Sequence, residues 1–73
     1  MEINQMKYFL EVCNCGSMAK AAEKLHITQQ GISIALRRLE SELGCKLFER
    51  KGRTLSLTDA GQHMYRRALE IIG

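Results

Sequence analysis

Between Thr28 and Ser41 the chain places Gln29, Gln30, Ser33, Arg37 and Arg38 at short intervals, side chains that make hydrogen bonds rather than break covalent ones. A glutamine amide both donates and accepts, which matches an adenine edge; a serine hydroxyl bonds a phosphate, and an arginine does either. A second polar group follows at Arg50, Lys51 and Arg53. Catalytic chemistry has no such grouping. His26 and His63 are far apart in sequence, with no paired carboxylate or nucleophile pattern around either, so an enzyme is not expected. The three cysteines, Cys13, Cys15 and Cys45, are an odd number for a disulfide framework, and one Cys-x-Cys pair lacks the spacing and partners of a zinc site. They read as reduced thiols in small apolar or half-exposed positions, and no metal or cofactor is expected.

The elements that must position the polar residues lie between Ser17 and Leu43. Met18, Ala21, Ala22 and Leu25 fall at i, i+3, i+4 and i+7, one apolar helical stripe, with Ser17 as its N-cap. Ile32, Ala35, Leu36, Leu39 and Leu43 make a second stripe, with Thr28 as the cap. Only His26 and Ile27 separate the two. So short a link forces a steep crossing, and small Ala21 and Ala22 let the backbones approach: a helix-turn-helix. Stepping about 100° per residue from Ile32 turns Gln30, Ser33, Ile34, Arg37 and Ser41 outward, with Gln29 and Arg38 at the flanks. That face suits a nucleic-acid groove; a solvated helix surface that touches nothing is the other reading.

The rest of the chain supplies support and charge. Asn4 reads as the N-cap of an opening helix with Met6, Phe9, Leu10 and Cys13 on its apolar face, ending near Asn14 to Gly16. Tyr8 and Val12 lie off that stripe, to widen the core or face a partner chain. Three helices around Phe9, Leu10, Leu25, Leu36 and Leu39 make a minimal core. Gly44 stops the second stripe, and Leu47, Phe48, Leu55 and Leu57 flank Lys51-Gly52-Arg53 in the manner of a β-hairpin that packs on the helices. Such a wing projects Lys51 and Arg53 beside the recognition helix. Thr58 caps a last helix, with Asp59 at its positive end and an apolar stripe of Tyr65, Ala68, Leu69 and Ile72.

Charge agrees with this division. Lys7, Lys20, Lys24, Arg37 and Arg38 cancel Glu2, Glu11, Glu23, Glu40 and Glu42, so the net +3 resides entirely after the helix-turn-helix. A polyanion would be met there as well as at the second helix. With 73 residues there is room for one small domain of modest stability. No apolar run of about 18 residues and no signal peptide is visible, so a cytoplasmic protein without a membrane partner is expected.

The order AAEKLHIT-Q, then S, then LRRLE-x-ELG-x-KLFER-x-GR, then LT-x-AG resembles the N-terminal DNA-binding domain of the bacterial LysR-type transcriptional regulators. The resemblance covers essentially the whole chain. It implies a mainly α winged helix-turn-helix, with residues 1–57 as the DNA-binding domain and residues 58–73 beginning a linker and dimerisation helix. It also implies a homodimer on interrupted inverted repeats of double-stranded DNA, and a small-molecule effector that acts only through a separate domain. The chain is then expected to be the opening part, or a reduced form, of such a regulator. By the same resemblance Gln29 matches a base-reading glutamine, Ser33 a phosphate-binding serine, Arg53 a wing arginine in a minor groove, and Arg50 the arginine of the ER pair. Thr28, Gln30, Ile34, Arg37 and Lys51 complete the expected DNA surface, and Tyr65, Ala68, Leu69 and Ile72 the dimer surface. Three positions depart from the family pattern: Gln30 for Pro or Ser, Gly31 for Ala, and Ile34 for Arg or Lys. Gly31 costs up to about 1 kcal/mol relative to Ala. A winged-helix module that binds protein through Ile34 and the Tyr65 stripe is the alternative.

Overall fold

The computed structural model describes residues 2–72, apart from the side chain of Ile72. Helices α1 (Ile3–Cys15), α2 (Met18–Leu25) and α3 (Gln29–Leu43) are followed by strands β1 (Phe48–Lys51) and β2 (Thr54–Leu57) and by helix α4 (Asp59–Ile72). Helices α1, α2 and α3 pack on one another, and α4 lies on α1 and β2.

The cap of helix α1 lies two residues before the expected one. Glu2 is the N-cap and its N–H donates to Gln5 Oε1 at 2.9 Å, the reciprocal half of a capping box, which leaves Asn4 inside the first turn. Gln5 is buried and its Nε2 donates to Glu42 Oε1 at 3.3 Å, tying α1 to α3. Met6, Phe9 and Leu10 are buried as the spacing predicts, while Cys13 is half-buried. Val12 is fully buried too, so of the two residues off the stripe it widens the core and leaves only half-buried Tyr8 near the surface. Gly16, at φ 71°, ends the helix with its N–H on the Val12 carbonyl at 2.8 Å.

The corner between α2 and α3 is made by caps. Ser17 Oγ accepts from the Lys20 N–H at 3.3 Å, and Thr28 Oγ1 accepts from the Gly31 N–H at 3.0 Å. His26 takes the left-handed conformation at φ 59°, unusual for a residue with a Cβ, and the next amide, Ile27 N–H, returns to the Ala22 carbonyl at 3.1 Å. Buried Ala21 and Ala22 face a core that includes Ile32, Leu36 and Leu39. Leu25, expected at the centre, is half-buried at the core's edge; Ile32, Val12 and Leu47 fill the middle instead. Leu43 ends 37% exposed, in a depression that it lines with His63, Met64, Arg67 and Ile71 of α4.

The wing is an antiparallel pair with Phe48 opposite Leu57, Glu49 opposite Ser56, Arg50 opposite Leu55 and Lys51 opposite Thr54. Gly52, at φ 65°, makes the turn. Phe48 anchors the wing by setting its ring 5.3 Å from that of Phe9, tilted by 53°. Thr58 Oγ1 then accepts from the Gly61 N–H at 3.0 Å and donates to the Lys46 carbonyl at 2.6 Å. Its N–H bonds the Leu47 carbonyl at 3.0 Å. Helix α4 therefore starts pinned to the segment that leads into the wing.

Candidate nucleic-acid interface

Thr28 sets the start of α3 and the Ile32–Leu36–Leu39 stripe sets its rotation, so the outward face follows from the cap and the core together. Gln29, Gln30, Ile34, Arg37, Arg38 and Ser41 are exposed, and Ser33 is half-buried at the edge of that face. A groove between α3 and the wing is bordered by Ser33, Arg37, Lys46 and Arg50 and backed by Leu36, Phe48 and Leu55. A second groove runs between the wing and the start of α2, bordered by Ser17, Met18, Gln29, Arg50 and Arg53. Arg50 belongs to both. Residues from Ser17 to Arg53 are thus gathered on one surface.

The hairpin alternates its side chains between two faces. Arg50 shares a face with Phe48, which is turned toward the helices, whereas Lys51 shares the opposite face with Glu49. Lys51 Nζ lies 3.5 Å from Glu49 Oε1, which borders the first groove, and Lys51 itself does not line the groove that holds Arg50 and Arg53. Pairing separates the cations further. Lys24 meets Glu11 at 3.2 Å and Arg67 meets Glu70 at 3.9 Å, whereas Arg37, Arg38, Arg50 and Arg53 have no ion pair among the described residues. Unpaired guanidinium groups along a groove attract phosphate.

Glu40 was not singled out by its spacing, yet it joins the two halves of the surface. Its Oε2 accepts from the Leu47 N–H at 2.7 Å and the Phe48 N–H at 3.5 Å, fixing the base of the wing to α3. The LRRLE sequence was visible; that its glutamate serves backbone amides seven and eight residues on was not. Of the thiols, exposed Cys45 lines a depression with Arg37, Ser41 and Lys46, while Cys13 and Cys15 are half-buried on α1. Burial pushes Cys13 up to about 12, and Cys15 is also raised, by desolvation and then by its bond to Glu11, at 3.4 Å.

On α4, Ala68 is fully buried within the chain's own core, so it has no surface to offer a second copy. Tyr65 is half-buried and its hydroxyl donates to Asn14 Oδ1 at 3.3 Å on α1. Leu69 is 43% and Ile71 60% exposed, while the Ile72 side chain lies outside the described residues. Among the described residues no helix is long and apolar enough to cross a membrane.

A three-helix core with a two-stranded hairpin following the recognition helix defines a winged helix-turn-helix domain. The model of the bacterial regulatory helix-turn-helix proteins of the lysR family matches residues 3–62, and the chain belongs to that family, which is one of transcription regulators and not of enzymes. It is 43% identical to the HTH-type transcriptional regulator TcbR of Pseudomonas sp., covering 100% of this chain and 26% of that protein. It is 39% identical to the nitrogen assimilation regulatory protein nac of Escherichia coli, covering 99% of this chain and 24% of that one. The chain thus spans about a quarter of the length of these relatives. In solved structures it is similar to the CbnR DNA-binding domain in its DNA complex, with a TM-score of 0.93 and 42% identity over 99% of this chain and 83% of that one. The BenM DNA-binding domain on the catB site 1 DNA gives 0.94 and 38%, over 99% and 80%.

Proposed function

We propose that this chain binds double-stranded DNA sequence-specifically, as the DNA-binding part of a cytoplasmic bacterial transcription regulator. The observation that carries this is the meeting of Gln29 with Arg50 and Arg53, which have no ion pair among the described residues, in one groove beside the exposed face of α3. Helix α3 enters the major groove, where Gln29 and Gln30 meet base edges and Ser33 and Arg37 meet phosphates. Arg53 reaches a minor groove and Arg50 holds the backbone between the two, with Lys51 at the outer phosphates and Thr28 at the start of the helix. Residues 1–57 carry this activity. Residues 58–73 begin a linker helix that pairs with that of a second copy through Leu69 and Ile72, edged by Tyr65; any small-molecule effector acts through another domain of the regulator.

Fluorescence anisotropy with a labelled duplex at several salt concentrations tests the reading. The association constant should fall linearly with salt on logarithmic axes, with a slope of about −0.9 for each phosphate neutralised. A chain that leaves the anisotropy unchanged at low salt does not bind DNA. The protein-binding alternative would give that result, and the unpaired arginines of the groove disfavour it.

A further inference from the structure

The polar face of α3 has one large apolar member. Ile34 is 40% exposed, and it belongs neither to the buried core nor to the half-buried residues packed on that core. Its surface lies open in a shallow depression shared with Arg37, Arg38 and Ser41. The part of the isoleucine that remains in water gains free energy when an apolar group covers it.

We propose that Ile34 reads the C5-methyl group of a thymine in the major groove and so gives this chain a base preference of its own; this rests on the DNA-binding reading above. The thymine methyl is the one apolar group that unmodified base pairs present in that groove. Position supports the choice of occupant. Ile34 follows Gln30 by four residues, on the same side of the exposed face, and follows Ser33 directly. Four helical residues advance about 6 Å and one base step about 3.4 Å, so the thymine lies within about two base pairs of the base that Gln30 meets. Glutamine pairs with adenine, and the two side chains together favour an A·T-rich step. Because Ile34 carries no charge, this preference comes without any release of counterions.

The test starts from the duplex that this chain selects most strongly from a random-sequence pool. Each thymine of that duplex is replaced in turn by deoxyuridine, which lacks only the methyl group, and affinity is measured for the wild-type chain and for Ile34→Ala. At one position per half-site the wild type should bind about fourfold more weakly, the effect expected for one buried methyl-sized group. Ile34→Ala should lose that sensitivity while keeping the wild-type salt slope, and Ile34→Val, which retains a branch at Cβ, should keep part of it. A wild type indifferent to every uracil, or an Ile34→Ala variant equally sensitive at the same position, overturns the proposal while DNA binding stands. If no duplex is enriched, the DNA-binding reading fails, and the role of Ile34 with it.

Discussion

Gln29 and Arg53 border one groove, yet they should fail differently when removed. A glutamine at a base edge discriminates among sequences, so Gln29→Ala should relax preference at one position by about 1–3 kcal/mol, read from affinities for single-base variants of a selected site. Arg53→Ala should weaken binding to nearly all duplexes and reduce the magnitude of the salt slope by about 1. Ile34→Arg should do the reverse, steepening the slope by about 1 without unfolding the domain, because the side chain is outside the core. Melting of that variant in a thermal scan would show that Ile34 supports the fold. Among the thiols, burial keeps Cys13 protonated, with its titration pushed up to about 12, and Cys45 is exposed. Since only the thiolate attacks, iodoacetamide at pH 8 should alkylate Cys45 well before Cys13, as peptide mass spectrometry would record. Equal labelling would mean that α1 opens readily.

At the scale of elements, the helix-turn-helix rests on caps and the wing on a close approach. Thr28→Ala removes the acceptor for the Gly31 N–H and should cost about 1 kcal/mol in a denaturant titration. Gly61 is more demanding. A Cβ there would collide with the Leu47 carbonyl oxygen and crowd the Leu57 side chain, so Gly61→Ala should destabilise by about 1–3 kcal/mol despite the better helix propensity of alanine. An unchanged or raised midpoint would place α4 farther from the wing. This separates what the sequence makes legible from what it does not. The stripes of α2 and α3, the caps Ser17 and Thr28, and the glycine turns at Gly44 and Gly52 are local signals, set by helical period and by backbone conformations that few residues adopt. The AG of LT-x-AG was visible as a motif, but its reason is a contact between α4 and a carbonyl fourteen residues earlier. The same holds for Glu40 on the wing amides and for Val12, whose burial depends on a neighbour that the α1 period alone does not reveal. Asn4 reads as a cap because Asn often serves as one; the Glu2 N–H donating to Gln5 Oε1 makes Glu2 the cap instead.

For the molecule as a whole, α4 is divided between two tasks. Ala68 and half-buried Tyr65 belong to the chain's own packing on α1, and exposed Leu69 is left for the second copy proposed above. That area is small for a stable interface, so the free chain should exchange between monomer and dimer in dilute solution. A duplex with two half-sites one helical turn, or a multiple of it, apart should favour the dimer. Sedimentation with Leu69→Asp checks this: the variant should be monomeric, and a tight dimer that survives the change places the contact on another face, where Val12 is unavailable because it is fully buried. In the proposed function, α3 and the wing form a single DNA-reading surface on the side of the domain that carries Arg50 and Arg53. Its most direct test is titration of the 15N-labelled chain with duplex DNA, followed by amide chemical shifts. The largest changes are expected at the start of α2, along the exposed face of α3 from Gln29 to Ser41, and at Arg50 and Arg53. Shifts centred instead on the outer face of α4, around Leu69 and Ile71, with the wing and α3 unmoved, would contradict it.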